Sequence, residues 1–447
     1  MHIKELSLQN FRCFEQLTIH FNPQMNVLIG DNASGKTAVL DALAYALAKI
    51  DLWLTKEKES FLKLDYGISE KDVRQTLIGA ETEYPVENTE IILHAEKWEV
   101  ADKLFDEVKW QLSYQIGNSE ANCIDITNFN EVTGYLRSNI NSPKMKTLPI
   151  IAYYPTNRTV KTKNTRVENK KELRHDGYEE ALLGAVDIKL VSDRLQMFDY
   201  ELFHLSQLGQ LSEKVKNRYS ALKAAIIASL PNVNNLYYSP KYKEIITLFQ
   251  EDKAIPFRFL SKGYETMLSI IGDIAYRCTV LNPNLDDVLA QTPGVVLIDE
   301  IDLHLHPKWQ KQIIENLKKV FPKIQFIVTT HSPFIIQSVK KEELHNLTNM
   351  RDMPTDEDPF KLSLEEVADY VQNIPNVERS ERFQEMVKVA TEYFELIEQQ
   401  NVADNEEKIL TLKNRLDELE ILYNDDPYFV ALLQMERKTK FNQHLKR

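Results

Sequence analysis

The feature of this sequence that most restricts its fold is a run of eight residues fitting the phosphate-loop pattern G-x-x-x-x-G-K-[ST]. They are Gly30, Asp31, Asn32, Ala33, Ser34, Gly35, Lys36 and Thr37. Apolar residues 25–29 predict a strand before the loop, and the Ala- and Leu-rich residues 37–50 predict a helix after it. The loop amides and the positive end of such a helix point at phosphate oxygens. We therefore expect a triphosphate site in which Lys36 neutralises the β- and γ-phosphates and Thr37 ligates Mg²⁺.

A second restriction is an apolar strand that ends in two carboxylates. Residues 295–298 are Val, Val, Leu and Ile, and Asp299 and Glu300 follow directly. Because a buried parallel strand needs no charge, carboxylates at its C-terminal end predict a site at the edge of the sheet. We expect Asp299 to hold Mg²⁺ through water and Glu300 to act as general base on the attacking water. The alternative is a helix-capping carboxylate before Ile301.

The length and composition predict a large folded body with appendages. The chain has 447 residues, of which 43% are hydrophobic and 27% charged, enough to bury a core and keep the surface solvated. The net charge of −13 argues against a uniformly basic nucleic-acid coat and leaves a local basic groove open. Positive residues outnumber negative ones in residues 158–174. That stretch is either a solvated loop or a contact with DNA or a partner.

The cysteines, the N-terminus and the lengths of the apolar runs predict the cellular compartment of the protein. Cys13, Cys123 and Cys278 lie far apart without metal-ligand spacing, which predicts neither a disulfide framework nor a zinc site. The N-terminus alternates like a strand and lacks the basic head of a secretion signal. No run of about 18 apolar residues occurs, so we expect a cytoplasmic protein with no membrane contact.

The third motif is the segment Leu-Ser-Lys-Gly-Tyr-Glu at residues 260–265, about 35 residues before the acidic strand and at a predicted helix start. It resembles the LSGG-type signature of ABC ATPases. The resemblance implies that Ser261 and Gly263 bind the γ-phosphate of an ATP held by a second copy of the chain. Lys262 departs from the pattern, where the family has its first glycine. The alternative is that Ser261 simply caps a helix.

The fourth motif is an apolar strand at residues 326–330 that delivers His331 to the edge of the sheet. The resemblance implies that His331 is the switch histidine, which contacts the γ-phosphate. Asp302 follows the acidic strand where ABC proteins carry the loop that communicates across the dimer. His304 and His306 could instead ligate a metal, but a third ligand is not evident. A Q-loop glutamine cannot be assigned.

Together, these motifs resemble the SMC/RecF/OLD branch of ABC ATPases over residues 1–347. The resemblance implies an α/β fold: an ABC-type P-loop ATPase head with a mixed sheet, a helical insertion and a helical C-terminal appendage. Within the head, residues 52–148 would elaborate the first lobe and residues 178–230 would form the helical insertion. Residues 348–380 would form a linker, and residues 381–447 a helical region for oligomerisation or partner binding.

Two softer features accompany the resemblance. Asn10-Phe11-Arg12 is similar to the opening of RecF-like ATPases, so Arg12 is either a nucleotide contact or a surface charge. Residues 153–158 and 176–179 are similar to segments that recur in stand-alone prokaryotic members. Short strands are further expected at residues 90–93, 109–116, 244–250 and 256–260, and tail helices at residues 381–399, 405–423 and 426–445.

The tail at residues 383–429 resembles the helical C-terminus of ATPases from anti-phage defence operons, above all the Septu ATPases. That family works with a separately encoded HNH endonuclease. The resemblance implies an ATP-hydrolysing subunit that controls a partner nuclease through ATP-dependent dimerisation of its heads, with a higher homo-oligomer expected. The ATPase of the PARIS system is a rival match. The alternatives are a RecF/SMC-like repair ATPase that clamps DNA, a switch that binds ATP with little turnover, and a generic dimerisation tail.

Overall fold

The structure is a computed structural model that divides into two compact units, Met1–Asn373 and Ile374–Arg447. It describes every residue outside 55–66, 79–80, 86, 101–102, 119, 141–146, 157–172, 183–187, 231, 251–252, 349–357, 373–384, 386–387, 394–395, 397–405 and 422–447. Among the described residues, no helix combines the length and the apolar character needed to cross a bilayer.

The strands of the first unit form four sheets. In chain order they are β1 (His2–Phe11), β2 (Phe14–His20), β3 (Met25–Ile29), β4 (Thr76–Ile78), β5 (Glu81–Glu83), β6 (Thr89–Val100), β7 (Lys103–Tyr114), β8 (Asn122–Thr127), β9 (Ile150–Tyr154), β10 (Val233–Ser239), β11 (Glu244–Phe249), β12 (Ala254–Pro256), β13 (Gly294–Ile298), β14 (Ile324–Thr329) and β15 (Leu344–Asn346). The sheet orders are β15-β3-β14-β13-β9, β2-β1-β6-β7-β8, β10-β11-β12 and β4-β5.

The helices connect these sheets. They are α1 (Lys36–Leu54), α2 (Phe129–Asn139), α3 (Ile188–Gln207), α4 (Glu213–Ser229), α5 (Lys262–Leu281), α6 (Val288–Gln291), α7 (Pro307–Val320), α8 (Pro333–Ile336), α9 (Leu364–Glu366) and, in the second unit, α10 (Glu406–Ile421). Helices α3 and α4 lie within the stretch expected to be helical, and a π-helical turn, Val367–Val371, directly follows α9.

The central sheet is parallel throughout: β13 pairs with β9 and β14, and β3 pairs with β14 and β15. Every residue of β3, β9, β13 and β14 is buried, which explains why these strands are mostly apolar and do not alternate between apolar and polar residues. The carboxyl ends of the strands therefore meet at one edge of the sheet, and this edge receives the side chains of the candidate site.

The second large sheet is antiparallel and lies on the other side of α1. Trp110 of β7 donates a hydrogen bond to the backbone carbonyl of Ala46 in α1 at 3.1 Å, and both residues are buried. The α/β fold class expected from the sequence is confirmed. The parallel strand pairs lie in the central sheet, and the second large sheet contains antiparallel pairs. The two sheets share one hydrophobic core.

Two expectations about elements differ from the structure. Strands β6 and β7 have 12 residues each, far longer than the short strands expected, because their exposed faces carry charges that hide the buried alternation. Residues 256–260 do not form a strand. Only Pro256 belongs to β12, and a 3₁₀ turn, Phe257–Phe259, follows, in which the Leu260 amide donates to the Phe257 carbonyl at 2.9 Å.

The second unit is described in part. Helix α10 contributes Leu416 and Leu419 to a small buried cluster with Ala390 and Tyr393. Arg415 pairs with Glu385 across this cluster at 2.8 Å. Of the expected tail helices, residues 426–445 and much of 381–399 lie outside the described residues.

Candidate nucleotide-binding site

The phosphate loop lies between β3 and α1, as its sequence pattern predicts. Gly30 and Gly35 have φ angles of +147° and +93°, which favour glycine, and Ala33 also lies at positive φ. A Cβ on Gly35 would lie 2.3 Å from the Phe14 ring. The turn between β1 and β2 therefore packs directly on the loop, and glycine is needed there for both conformation and space.

Lys36 folds back over the loop. Its ammonium donates to the carbonyls of Gly30 and Asp31, each at 2.8 Å, and the residue is 8% exposed. Burial lowers the pKa of Lys36, and the negative charges of Asp299, Asp31 and Glu300 oppose that shift. The acidic strand end lies beside the loop, since the Thr37 hydroxyl donates to the Asp299 carboxylate at 3.1 Å.

Within the described residues, the buried hydroxyl of Ser34 has no hydrogen-bond partner. An unsatisfied buried donor inside a glycine-rich loop is costly unless a ligand completes it. The loop residues thus fit a phosphate group, which would accept from Ser34, Lys36 and the loop amides.

Asp299 is the centre of the acidic strand end. It is 3% exposed and accepts hydrogen bonds from the hydroxyls of Thr329 at 2.6 Å, Thr156 at 2.7 Å and Thr37 at 3.1 Å. Thr329 ends β14, Thr156 lies two residues after β9, and Thr37 lies at the start of α1. Carboxylate and hydroxyl oxygens are the donors that Mg²⁺ takes at phosphate loops, so Thr37 and Asp299 fit the expected metal site.

Glu300 stands in a left-handed backbone conformation, with φ at +46°, and its amide donates to the Thr329 hydroxyl at 2.7 Å. Non-glycine residues seldom adopt this conformation, and such strain concentrates at functional sites. The helix-cap alternative is wrong, because a turn follows Glu300 and the next helix, α7, is capped by His306.

His331 follows β14 and is exposed at the same sheet edge as Glu300, which follows the neighbouring strand β13. The backbone beside it is held firmly. The Thr330 hydroxyl donates to the Asp302 carboxylate, and the Ser332 amide donates to the Thr330 hydroxyl at 3.0 Å. These hydrogen bonds hold the residues on either side of His331, which is itself exposed.

The signature segment begins α5. Ser261 occupies the N-cap position and is exposed, but its hydroxyl makes no cap hydrogen bond, so a cap role does not account for it. Gly263 is buried, and a Cβ there would lie 2.7 Å from the backbone carbonyl oxygen of His304. Glycine at this position thus lets the helix start pack on the loop that follows the acidic strand.

That loop contains the residues considered for communication or metal binding. Asp302 accepts from Thr330, as above, and the His306 Nδ1 accepts the Lys308 amide at 3.2 Å as the cap of α7. His304 lies at φ +66°. Over the described part of the chain, no three or more His, Cys, Asp or Glu side chains gather as a metal site.

Arg12 lies beside α1, the helix that follows the phosphate loop, and its guanidinium pairs with two carboxylates. Nη1 pairs with Asp41 of α1 at 2.6 Å, and Nη2 pairs with the fully buried Asp72 at 2.8 Å. Burial acts to lower the pKa of Arg12, but these two carboxylates raise it above its ordinary value. Its side chain thus ties the β1–β2 turn to α1.

A buried ionic cluster anchors the signature helix to the central sheet. Asp273 of α5, fully buried, pairs with Arg277 at 2.7 Å and with Arg194 of α3, and accepts from the Tyr154 hydroxyl of β9 at 2.8 Å. Burial acts to raise the pKa of Asp273, but the two arginines outweigh it and hold the pKa at about 2. Breaking such a buried pair is strongly destabilising.

The basic stretch at residues 158–174 lies almost entirely outside the described residues, including Lys161, Lys163, Lys170 and Lys171. Its last member, Arg174, is described and is structural: Nε donates to the Leu281 carbonyl at 2.6 Å. Arg174 thus holds the end of α5.

Sequence reasoning did not assign three hydroxyl-bearing residues of the site. Thr156 and Thr329 hold Asp299, and Thr348 accepts the Asp31 amide of the phosphate loop at 2.7 Å. Residues 153–158 were singled out as a segment that recurs in related proteins, which was the one available signal for Thr156. Threonine is too common beside strands for sequence alone to mark Thr329 or Thr348.

Comparison with known proteins gives three results. Residues 25–337 match the family model described as "AAA domain, putative AbiEii toxin, Type IV TA system". The chain is 25% identical over 409 residues to the retron Ec83 probable ATPase of Escherichia coli, covering 78% of this chain and 72% of that protein. It is 34% identical over 135 residues to the Septu protein PtuA of Bacillus thuringiensis, covering 30% of each chain.

Among solved structures, the Smc head bound to the C-winged helix domain of ScpA matches with a TM-score of 0.44 and 17% identity. The match covers 79% of this chain and 95% of that one.

Proposed function

Because this chain belongs to the family of AAA domains described as "putative AbiEii toxin, Type IV TA system", we propose that it binds and hydrolyses Mg²⁺–ATP in an anti-phage defence complex. It is an ABC-type ATPase of the SMC/RecF-like kind, related to Septu PtuA and to retron ATPases. The observation that carries the proposal is the convergence of Thr37, Thr156 and Thr329 on the buried Asp299 beside the phosphate loop.

Each part of the site has a task in this proposal. The loop amides, Ser34 and Lys36 grip the β- and γ-phosphates, and Thr37 and Asp299 hold the metal. Mg²⁺, when bound, supplies the charge that neutralises the phosphate oxygens. Glu300 orients the attacking water and takes its proton. His331 contacts the γ-phosphate from the neighbouring strand end.

The site is completed by a second copy of the chain. The exposed, uncapped Ser261 and the start of α5 support this, because a helix N-terminus with an available hydroxyl suits a phosphate oxygen. ATP then acts as the bridge that closes two heads. Hydrolysis removes the γ-phosphate, and the two heads then lose the contact that holds them together.

Two substitutions test the nucleotide chemistry. Lys36→Ala removes charge-assisted hydrogen bonds and should weaken ATP binding by about tenfold or more. Glu300→Gln should leave binding intact, lower kcat by about 100-fold or more and accumulate ATP-closed assemblies. Glu315→Gln, on the exposed face of α7, is the control and should behave as wild type. Wild-type phosphate release by Glu300→Gln would refute its role as the base.

The partner is proposed to be a separately encoded HNH nuclease, as the resemblance to Septu ATPases implies. Co-expression of the chain with the neighbouring nuclease gene, followed by affinity purification, tests this. A stable complex whose DNA cleavage differs between Glu300→Gln and Lys36→Ala supports nuclease control. Failure to co-purify, combined with ATP-dependent DNA binding by the chain alone, would favour a DNA-clamping repair ATPase instead.

A further inference from the structure

The segment Asp358–Gln372, here called the strap, lies beyond the head boundary expected from the sequence and yet packs on the head. Leu362, Val367 and Val371 are buried in the main hydrophobic core. The strap is also held by polar contacts, since the Lys341 amide donates to Asp358 at 3.2 Å and the Gln337 side chain donates to the Leu362 carbonyl at 2.7 Å.

The far end of the strap is tied to the phosphate loop by a chain of hydrogen bonds. The Asn346 side-chain amide donates to the Val371 carbonyl at 3.1 Å, and its Oδ1 accepts the Thr348 amide at 2.9 Å. The Thr348 hydroxyl in turn accepts the Asp31 amide at 2.7 Å. These hydrogen bonds therefore fix the position of the strap relative to the phosphate loop.

The last residue of the strap reaches the switch histidine. Gln372 Nε2 donates to the backbone carbonyl of His331 at 2.9 Å. From inside the head, the same loop is held through the Thr330 and Ser332 side chains, which bond Asp302 and Gln310. Gln372 therefore holds the backbone carbonyl of His331, the residue that lies between Thr330 and Ser332.

The backbone of the strap explains how Gln372 is aimed. Its amide donates to the Val367 carbonyl at 3.1 Å, an i→i+5 bond that closes the π-helical turn. A π turn accommodates one extra residue, which rotates the next side chain by about 100° relative to a regular helix. Single π turns occur frequently at functional sites, where they re-aim a side chain.

We propose that Gln372 is a positioning residue for His331, and that the strap clamps the phosphate loop and the switch histidine in register. The inference rests on the proposed function, in which His331 contacts the γ-phosphate. Without this hydrogen bond, the His331 carbonyl loses its contact with the strap, so the peptide can tilt between the Thr330 and Ser332 anchors and move the imidazole away from the phosphate. Misplacement of about 1 Å is enough to cost up to about 100-fold in rate.

Two near-isosteric substitutions in the full-length chain test this. Gln372→Met and Gln372→Glu both remove the N–H donor and differ in charge. ATP hydrolysis is measured with kcat expressed per nucleotide site, titrated with ADP, so that unfolded molecules do not count. Both variants should lower kcat by about tenfold or more and shift KM by less than about threefold, because ATP binding through the loop is intact.

The matched control is Gln337→Met, which removes another side-chain hydrogen bond to the strap, the one to the Leu362 carbonyl, and leaves the hydrogen bond to His331 in place. It should retain a kcat within about twofold of wild type. Unchanged kcat in both Gln372 variants, or an equal loss in Gln337→Met, would overturn the inference while leaving the ATPase intact. A wild-type chain that hydrolyses no more ATP than Lys36→Ala would instead overturn the proposed function, and this inference with it.

Discussion

Asp299 shows how single residues set the chemistry of this site. A carboxylate only 3% exposed is expensive to bury unless donors surround it, and here three threonine hydroxyls do so. The Thr329 hydroxyl also accepts the Glu300 amide, so one side chain fixes both members of the acidic pair. Thr329 therefore fixes the carboxylate of Asp299 and the backbone from which the Glu300 side chain extends.

Thr156 offers the sharpest test at this scale. Thr156→Val keeps the shape and removes a 2.7 Å donor to Asp299, so the carboxylate should orient less well toward Mg²⁺. We expect the Mg²⁺ concentration for half-maximal phosphate release to rise about 10-fold or more. Thr18→Val, on the exposed face of β2, should leave the Mg²⁺ dependence unchanged. Identical titration curves for Thr156→Val and wild type would remove Thr156 from the site.

At the scale of elements, the placement of α5 matters most, because this helix carries the signature at its start. Its middle is anchored by the Asp273 ionic cluster, and its end packs on the turn Arg174–Tyr178. Arg277 donates to the carbonyls of Gly177 and Glu179 at 2.8 and 2.9 Å. The helix thus cannot shift without disturbing β9 and the turn.

The close approach at Gly177 makes this packing testable. A Cβ there would lie 2.6 Å from the Leu281 side chain, so Gly177→Ala should destabilise the fold by about 1–3 kcal/mol. Gly134→Ala is the control, since nothing lies within 4 Å of its Cβ position in α2. Removing a helix-interior glycine should stabilise the protein by up to about 1 kcal/mol. Urea unfolding of both variants measures the difference, and equal midpoints would refute the packing argument.

For the whole molecule, we predict that two copies of the chain share each ATP. Ser261→Arg places a bulky charge where the second copy would close, so it should abolish the ATP-dependent increase in mass expected of Glu300→Gln. Binding of ATP to the single chain should change by less than about tenfold, or about 1.4 kcal/mol. Light scattering of the double variant with saturating ATP measures this.

Ser138→Arg serves as the control for that experiment, since Ser138 is an exposed serine on α2, away from the signature. It should assemble with ATP as its parent does. Continued ATP-dependent assembly in the Ser261→Arg background would contradict a site shared through the signature segment.

Local sequence patterns were enough to predict the phosphate loop and the elements on either side of it. The glycine loop, the apolar strands and the Ala-rich helix are each written in consecutive residues, because backbone conformation and burial impose short-range patterns. The family and fold class followed from the order of four such motifs. The long strands β6 and β7 were underestimated because charges on their exposed faces mask the alternation.

The side chains that complete the site from distant parts of the chain became evident from the packing of the folded protein. Thr156 meets Asp299 across 143 residues, Arg12 finds Asp72 rather than solvent, and Gln372 reaches the His331 loop from beyond the expected head. Such pairings depend on how sheets and helices pack. A hydrogen bond between residues that lie far apart in the chain produces no regular spacing that a sequence pattern could reveal. Local pattern sets the chemistry this chain can perform, and packing selects the residues that hold it in place.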